Sequence, residues 1–210
     1  MMHIGDQKSN FVEKAIEKSQ KFYESDIFVE VGSYCGYSAI KIASCLRENG
    51  KLYCIEASEK CVKWTRRMLE LARLSDRVEV LHGEVFSVLT ALKLKCSYVN
   101  FLFLDHDKSK YLSDLLLFEQ SHLLQAGAVI LADNILSFNQ PMLEYINHVR
   151  SSTFYSSSEL HPCRVEYSDP DNSNRGGARN GNIGANANLE EDQQGDEDFM
   201  ADGMELSVVK

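Results

Sequence analysis

The chain has 210 residues, of which 44% are hydrophobic, and it carries a formal net charge of −9 at pH 7. This length and apolar content suit one domain with a core of its own. The acidic balance lacks the basic surface with which proteins bind nucleic acid, so we expect no nucleic-acid partner. No apolar run approaches the roughly 20 residues that span a bilayer, so we expect no membrane partner either.

The cysteines and the N-terminal residues indicate the compartment. The six cysteines show no C-x-x-C pair and no spacing with histidine that suits a metal. Several lie in apolar runs, where a free cysteine behaves as a small hydrophobe. The opening MMHIGDQKSN has no basic segment followed by an apolar stretch, so it is not a secretory signal. We therefore expect reduced thiols and a cytoplasmic protein.

Helical and strand patterns alternate from the beginning of the chain. In chain order, they predict a helix over about 6–23, a strand over 26–31, a helix over 37–47, a strand over 51–55, a helix over 58–72 with Ser58 as its N-cap, a strand over 77–81 and a helix over 84–92. The series continues with a strand over 98–104, a helix over 109–124, a strand over 128–132 and a helix over 141–150. Five strand–helix pairs in succession predict an α/β fold, in which helices cover both faces of a parallel sheet.

The last quarter of the chain has a different composition. Residues 169–201 are rich in Asn, Gly and Asp and show no periodicity, which predicts a disordered insertion. Residues 204–209 (MELSVV) are apolar again and fit a last strand that returns to the edge of the sheet. We therefore predict one domain over 1–168, an insertion over 169–201 and a returning strand of the same domain over 202–210.

Ligands of such sheets bind at the carboxyl ends of the strands. After the first strand, the run from Glu30 to Gly36 (EVGSYCG) contains two glycines that let the backbone turn tightly and approach a ligand. Its spacing is not G-x-G-x-x-G, and the P-loop G-K-[ST] is missing. Glu56 follows the second strand, 24 positions beyond Gly32, where an acid can accept hydrogen bonds from both ribose hydroxyls. Together they favour an adenosine ligand, with a plain turn and a solvated glutamate as alternatives.

Polar residues also follow the fourth and fifth strands. Asp105, His106 and Lys108 come after the fourth strand, and Asp133 and Asn134 after the fifth. Because these strands should be neighbours, we expect three oxygen ligands to converge: Asp105, Asp133 and Asn134. Oxygen donors without cysteine suit Mg²⁺, and a nearby lysine such as Lys108 could accept the proton of a metal-bound hydroxyl. Helix capping by Asp105 and a surface lysine are the alternatives.

Four stretches of the sequence resemble catechol O-methyltransferases. They are MHIGDQK from Met2, VEVGSYCGYSAIKIA from Val29, LFLDHDKSKYL from Leu102 and LLQAGAVILADN from Leu123. The similarity runs from residue 2 to about residue 150, and it resumes weakly at 165–167 and 202–205. The resemblance implies a single-domain, Rossmann-like methyltransferase fold with a mostly parallel, seven-stranded sheet and helices on both faces.

The resemblance also implies the site and the reaction. S-adenosylmethionine is the implied cofactor, Mg²⁺ the implied metal, and a small catechol or phenol the implied substrate. The residues implied to hold the cofactor are Met2, Ile4, Glu30, Gly32, Tyr34, Ser38, Glu56, Ala57, Phe86, Asp105 and His106. Asp105, Asp133 and Asn134 are the implied Mg²⁺ ligands. Lys108 is the implied base for the attacking hydroxyl, and Glu166 the implied partner of the second hydroxyl.

The sequence departs from the family pattern at three places. Asp107 replaces a tryptophan beside the adenine, and Val85–Phe86 replaces a Ser-Gln pair that contacts adenine, so that Phe86 is expected to stack instead. Family members carry helices before the Met-x-x-Gly-Asp segment, which lies at Met2 here, so that wall of the site is expected to be absent or supplied otherwise. Two other functions stay open: a non-catalytic S-adenosylmethionine-binding protein that acts through partners, and an O-methyltransferase for a different phenolic acceptor. The oligomeric state is open too, with a monomer as the expectation.

Overall fold

A computed structural model describes residues 6–136, 140–164 and 201–210. Within these residues the chain forms six α-helices, one short 3₁₀ helix and seven strands. In chain order they are α1 Asp6–Gln20, β1 Ile27–Val31, α2 Tyr37–Ser44, β2 Lys51–Glu56, α3 Glu59–Leu71, β3 Val78–His82, α4 Val85–Lys93, β4 Val99–Leu104, the 3₁₀ helix Lys108–Lys110, α5 Tyr111–Gln120, β5 Leu124–Ala132, α6 Gln140–Ser151, β6 Tyr155–Arg164 and β7 Ala201–Val209.

The strands form one sheet in the order β3-β2-β1-β4-β5-β7-β6. Strands β1 to β5 run parallel to one another, and β7 runs antiparallel to both of its neighbours. This arrangement confirms the predicted α/β fold with a seven-stranded, mostly parallel sheet.

The sheet has an apolar core on each face because successive strand residues point to opposite sides. On one face, Phe28, Phe101 and Phe103 pack with buried residues of α1, α2 and α3. On the other face, Val29 and Leu102 pack with buried residues of α4, α5 and α6. The central strand β4 is buried at each of its positions, as its apolar run FLFL predicts, and its polar residue Asn100 accepts a hydrogen bond from the Ile27 N–H at 2.7 Å.

Several helices end earlier than the periodicity predicts. Helix α2 ends at Ser44 rather than near residue 47, because the Arg47 backbone N–H donates to Asp26 Oδ2 at 2.7 Å and its guanidinium binds Asp26 Oδ1. Helix α5 ends at Gln120 rather than near residue 124, where His122 takes a left-handed conformation with φ +61°. The predicted N-cap of α3 is confirmed, since Ser58 Oγ accepts a hydrogen bond from the Cys61 N–H.

The C-terminal strands differ most from the expectation. The predicted edge position of the last strand is wrong, because β7 lies between β5 and β6. Strand β6 was not predicted: its sequence YSSSELHPCR is rich in serine and contains a proline, which only an edge strand readily accepts. The predicted insertion over 169–201 lies outside the described residues except for Ala201, so the domain boundaries stay a prediction.

Two further expectations concern the cysteines and the membrane. All six cysteines are described and none forms a disulfide. In the three described ranges, no helix combines the length and the apolar character that crossing a bilayer requires.

Candidate active site

A cavity of about 230 Å³ opens where the strand order of the sheet reverses. From β1 the chain winds outward through β2 and β3, whereas β4, on the other side of β1, leads outward to β5. Such a switch point leaves a crevice at the carboxyl ends of the two central strands. The residues that line it follow β1, β2, β3 and β4: Val31, Gly32, Tyr34, Ile55, Glu56, Ala57, Gly83, Glu84, Val85, Asp105, His106, Asp107, Lys110 and Asp114.

Gly32 allows the two central strands to approach each other at the floor of the crevice. Its φ is +92°, and a Cβ built there would lie 2.5 Å from the Asp105 carbonyl oxygen. Both the backbone conformation and the close approach require glycine at this position. The two loops that follow β1 and β4 therefore meet at Gly32.

The Glu56 carboxylate is wrapped by the loop after β1. Its Oε2 accepts hydrogen bonds from the N–H groups of Ser33 at 3.1 Å and Tyr34 at 2.9 Å, and its Oε1 accepts from the Ser58 N–H at 2.8 Å. Successive backbone N–H groups around one anion form the concave arrangement known as a nest. A carboxylate has about four acceptor sites, so Glu56 keeps one of them, on Oε1, for a hydroxyl donor from the cavity that it lines.

Glu30 lies beneath this loop and is fully buried. Its Oε2 accepts from the Cys54 thiol at 3.2 Å, whereas its Oε1 has no hydrogen-bond partner among the described residues. Burial raises the pKa of Glu30 to about 7, and the Ser38 hydroxyl and the Cys54 thiol oppose this shift. Neither Glu30 nor Ser38 is among the residues that line the cavity, although both were expected to hold the cofactor.

Asp105 and Lys108 form an ion pair at the end of β4. Lys108 Nζ donates to Asp105 Oδ1 at 2.9 Å and to the Tyr111 hydroxyl at 2.7 Å. Tyr111 in turn lies within hydrogen-bond distance of the carbonyls of Leu104 and Asp133, at 2.8 and 3.2 Å. Burial raises the pKa of Asp105 to about 6, with Lys108 opposing and Asp133 adding to the shift. The Lys108 ammonium thus lies at the junction of β4 and β5.

A second lysine, Lys8 of α1, holds the acid at the end of β5. Lys8 Nζ lies 2.7 Å from Asp133 Oδ1 and 2.7 Å from Asp202 Oδ2, and its side chain is 4% exposed. Asp202 Oδ2 also accepts from Asn134 Nδ2 at 2.7 Å. Burial alone would lower the pKa of Lys8, but the carboxylates of Asp133 and Asp202 outweigh it and raise the pKa.

The chemistry of this donor set fits a hard divalent cation. Asp105, Asp133 and Asn134 bring two carboxylates and one amide to adjacent strand ends, and the backbone N–H of Asp133 donates to the Leu104 carbonyl. Mg²⁺ is commonly held by one or two carboxylates, with water and substrate oxygens in the other positions. The described residues contain no group of three or more His, Cys, Asp or Glu side chains that could hold a metal alone. Any cation here therefore needs the amide oxygen, water or substrate as well.

His106 contributes one wall of the cavity. Its Nε2 lies 2.9 Å from Asp114 Oδ2, and its ring stacks on Tyr111 with a centroid distance of 4.9 Å. The other ring nitrogen, Nδ1, is buried and has no partner among the residues described. Asp114 and Tyr111 thus fix the plane of the ring that faces the cavity.

The structure brings together most, but not all, of the predicted site residues. Those that line the cavity are Gly32, Tyr34, Glu56, Ala57, Asp105 and His106. Lys108 pairs with Asp105, and Asp133, followed by Asn134, lies at the end of the neighbouring strand β5. Phe86 is 80% exposed and does not line the cavity, so this structure does not support its predicted stacking on a cofactor. Met2, Ile4 and Glu166 lie outside the described residues.

Sequence reasoning missed four residues of the site: Lys8, Tyr111, Asp114 and Asp202. A signal existed for Lys8, which lies four positions before Val12 and seven before Ala15 on the apolar stripe of α1. A lysine on that stripe is buried and needs a carboxylate partner. Asp202 gave no comparable signal, because its partner Lys8 lies 194 positions away in the chain.

The mostly parallel sheet with a cavity at its switch point defines the class, a Rossmann-like ligand-binding domain. A comparison with known families narrows this class. The chain belongs to the O-methyltransferase family, whose model matches residues 1–151.

Individual relatives carry more specific names. The chain is 34% identical over 169 residues to a catechol O-methyltransferase of Bos taurus, a match that covers 80% of this chain and 60% of the bovine protein. It is 34% identical over 151 residues to a catechol O-methyltransferase of Sus scrofa, covering 71% of this chain and 78% of the relative. The first match therefore spans less than two thirds of its relative.

Solved structures agree with the fold. The O-methyltransferase from Bacillus cereus, determined in complex with SAH, superposes with a TM-score of 0.70 at 20% identity. This match covers 99% of this chain and 83% of the Bacillus chain. At that level of identity the similarity concerns the fold.

Proposed function

We propose that this protein is an S-adenosylmethionine-dependent O-methyltransferase that uses Mg²⁺ to bind a catechol or a related vicinal diol. The observation that carries the proposal is the convergence of Asp105, Lys108, Asp133 and Asn134 beside the cavity at the switch point. The names of the bovine and porcine relatives support the choice of substrate.

The cavity residues have the chemistry to hold S-adenosylmethionine, which supplies a methyl group on a positively charged sulfur. Glu56 lines the cavity and keeps one acceptor site, on Oε1, for a ribose hydroxyl. The loop after Gly32 lines the cavity through Tyr34, and the His106 ring, held by Asp114 and Tyr111, lines it as well. We expect the adenosine part to lie between Glu56 and His106.

The end of the sheet at β4 and β5 has the chemistry to hold the cation and the acceptor. Asp105, Asp133 and Asn134 would hold Mg²⁺, whose charge favours the ionised form of a bound hydroxyl. Lys108 Nζ, held between Asp105 and Tyr111, would accept the hydroxyl proton as the neutral amine, after the ammonium has released one proton to solvent. The chemistry that the cofactor would supply is transfer of its methyl group, in which the S–C bond breaks as the O–C bond forms, so that the products would be a methyl ether and S-adenosylhomocysteine. Orientation of the two reactants would supply much of the rate enhancement.

The decisive experiment follows the transfer of a labelled methyl group from the cofactor to a panel of catechols, with and without Mg²⁺. We expect Mg²⁺-dependent product and a rate lower by about 10²–10⁴-fold in Lys108→Met, the usual contribution of a general base. Lys63→Met removes a 72% exposed lysine of α3 and should leave the rate unchanged. Product formation without Mg²⁺ would contradict the metal part of the proposal.

One observation favours the alternative of a cofactor-binding protein without catalysis. Asp105 and Asp133 already have cation partners in Lys108 and Lys8, so their burial does not require a metal. Calorimetry separates the two functions: cofactor binding by a folded sample with no methyl transfer across the panel would support the non-catalytic protein. Transfer only to acceptors with a single hydroxyl would support the other alternative, a different phenolic substrate. The cytoplasmic location stays a prediction, and the oligomeric state stays open.

A further inference from the structure

We propose that Lys8 and Asp202 form a brace that fixes which oxygen atoms of Asp133 and Asn134 face the cation. The inference rests on the Mg²⁺ site of the proposed function. Lys8 belongs to α1 and Asp202 to β7, so both reach the site from elements other than β4 and β5. Their side chains are 4% and 1% exposed. Neither is a cation ligand in the proposal; both are positioning residues.

Asp202 determines the orientation of the Asn134 amide. An asparagine side chain has one end that donates and one that accepts, and an ionised carboxylate only accepts. Asp202 Oδ2 accepts a hydrogen bond from Asn134 Nδ2 at 2.7 Å, so the nitrogen end of the amide faces Asp202. The oxygen end, Oδ1, then faces away from Asp202 and is available as a ligand. The Ile135 N–H donates to the Gly203 carbonyl at 2.8 Å, which fixes the two backbones beside this contact.

Lys8 acts in the same way on Asp133. The Oδ1 atom of Asp133 forms an ion pair with Lys8 Nζ at 2.7 Å and accepts a hydrogen bond from the Asn134 N–H at 2.6 Å. Within the described part of the chain, no hydrogen bond to Oδ2 accompanies these two contacts. The occupied oxygen is therefore the one turned toward α1, and Oδ2 is the one that can bind a cation. Because Lys8 also binds Asp202, one ammonium group links the two constraints.

A simpler explanation is that Asp202 acts only through its negative charge. Removing that charge would weaken cation binding whether or not the amide of Asn134 has to be oriented. The two explanations differ when residue 134 is itself a carboxylate, whose two oxygens are equivalent. Orientation then no longer matters, whereas the charge of Asp202 still does. A double-mutant cycle between positions 134 and 202 separates them.

The experiment is calorimetric titration of Mg²⁺ into the full chain saturated with S-adenosylmethionine. The proteins are the wild type, Asp202→Asn, Asn134→Asp and the double variant. With the native Asn134 present, we expect Asp202→Asn to raise the Kd for Mg²⁺ by about 10-fold or more, the usual effect of removing a group that orients a ligand. When Asp202→Asn is combined with Asn134→Asp, we expect the Kd for Mg²⁺ to be no higher than that of Asn134→Asp alone. The brace would be overturned if Asp202→Asn raised the Kd equally with the native Asn134 and in the Asn134→Asp background, or raised it in neither case.

Glu205→Gln is the matched control. Glu205 is a buried carboxylate on the same strand, paired with Arg150 through hydrogen bonds of 2.8 and 2.7 Å. Removing the Glu205 charge should leave the Kd for Mg²⁺ unchanged. If Glu205→Gln raised this Kd as much as Asp202→Asn does, the brace would be overturned. If the wild type binds no Mg²⁺, the proposed metal site fails and the brace fails with it. If the wild type binds and the cycle shows no coupling, only the brace fails.

A charge-conserving variant covers the case in which Asp202→Asn does not fold. Asp202→Glu keeps the negative charge and moves the carboxylate by one methylene group. A brace predicts weaker Mg²⁺ binding in this variant, and a role for charge alone predicts an unchanged Kd. Circular dichroism and the affinity for the cofactor, measured on the same samples, show whether the fold and the cavity are preserved.

Discussion

The two halves of the site neutralise buried acids in different ways. At the cofactor half, formed by Glu56 and the loop at 32–38, the carboxylate is held by backbone N–H groups no more than 23 positions away in the chain. At the acidic half, formed by Asp105, Asp133 and Asp202, the carboxylates are held by the ammonium groups of Lys8 and Lys108, and one contact spans 194 positions. The backbone donors lie in the two loops that follow β1 and β2, whereas the two lysines come from α1 and from the segment after β4. The first arrangement is local and suits a rigid cofactor cavity, and the second links distant segments around the proposed cation site.

The largest expected effect is a loss of stability when the ion pairs of the acidic half are broken. Lys8→Met leaves the carboxylates of Asp133 and Asp202, which are 4% and 1% exposed, without their shared cation. Removing one partner of a buried ion pair costs about 3–5 kcal/mol, so we expect the free energy of unfolding to fall by that amount. Urea denaturation followed by circular dichroism measures it.

Lys41→Met is the control for this prediction. Lys41 also pairs with a carboxylate, that of Glu13, but their side chains are 30% and 41% exposed. Water can solvate Glu13 once the lysine is lost, so the midpoint of denaturation should stay close to that of the wild type. Similar losses in both variants would show that burial does not distinguish the acidic half.

The second prediction concerns Glu30, whose charge neither half neutralises fully. Its pKa is about 7 in the folded chain against an ordinary 4.5, so the folded state binds a proton that the unfolded state has released between these two pH values. The free energy of unfolding should therefore fall as the pH rises from about 4.5 to about 7, by about 3 kcal/mol from this group. Glu30→Gln removes the titration and should be more stable than the wild type at pH 8.

Urea denaturation at pH 5 and pH 8, without cofactor, tests the direction of this pH dependence of stability. At pH 5 the wild type holds Glu30 in its protonated form, so the two proteins should differ little. At pH 8 the variant should unfold at the higher urea concentration. An equal difference at both pH values would mean that the amide changes packing and that the charge of Glu30 is not the cause.

The contrast between the halves also explains what could be predicted from the sequence. Gly32 and Glu56 were expected to serve one adenosine ligand, and they lie at the ends of the adjacent parallel strands β1 and β2, which the topology places together. Asp105 and Asp133 were predicted as neighbours for the same reason. The fold class followed from the alternation of patterns, which reflects burial of the central strands on both faces.

The parts that could not be predicted depend on contacts between distant segments. The pairing of Lys8 with Asp202 requires β7 to enter the sheet between β5 and β6, and local periodicity carries no information about that order. Strand β6 is stabilised by pairing with β7 rather than by an apolar pattern of its own. Tyr111 has the sequence pattern of an ordinary core residue, yet its hydroxyl binds Lys108 at 2.7 Å.

The smallest expected effect concerns Phe86 and tests whether the start of α4 belongs to the cofactor half. Phe86 lies in the first turn of α4 but is 80% exposed and outside the cavity lining, so Phe86→Ala should change the Kd for S-adenosylmethionine by less than about twofold. Glu56→Gln is the comparison, because an amide group in place of the carboxylate sets an N–H group against one of the three backbone N–H donors. A loss of about 1.4 kcal/mol there corresponds to a tenfold weaker Kd. Calorimetry on both variants gives the two Kd values directly.

If Phe86→Ala weakened cofactor binding as much as Glu56→Gln, the start of α4 would have to close over the cofactor. The cofactor half would then depend, like the acidic half, on a segment outside its own loops, and the contrast between the two halves would be lost.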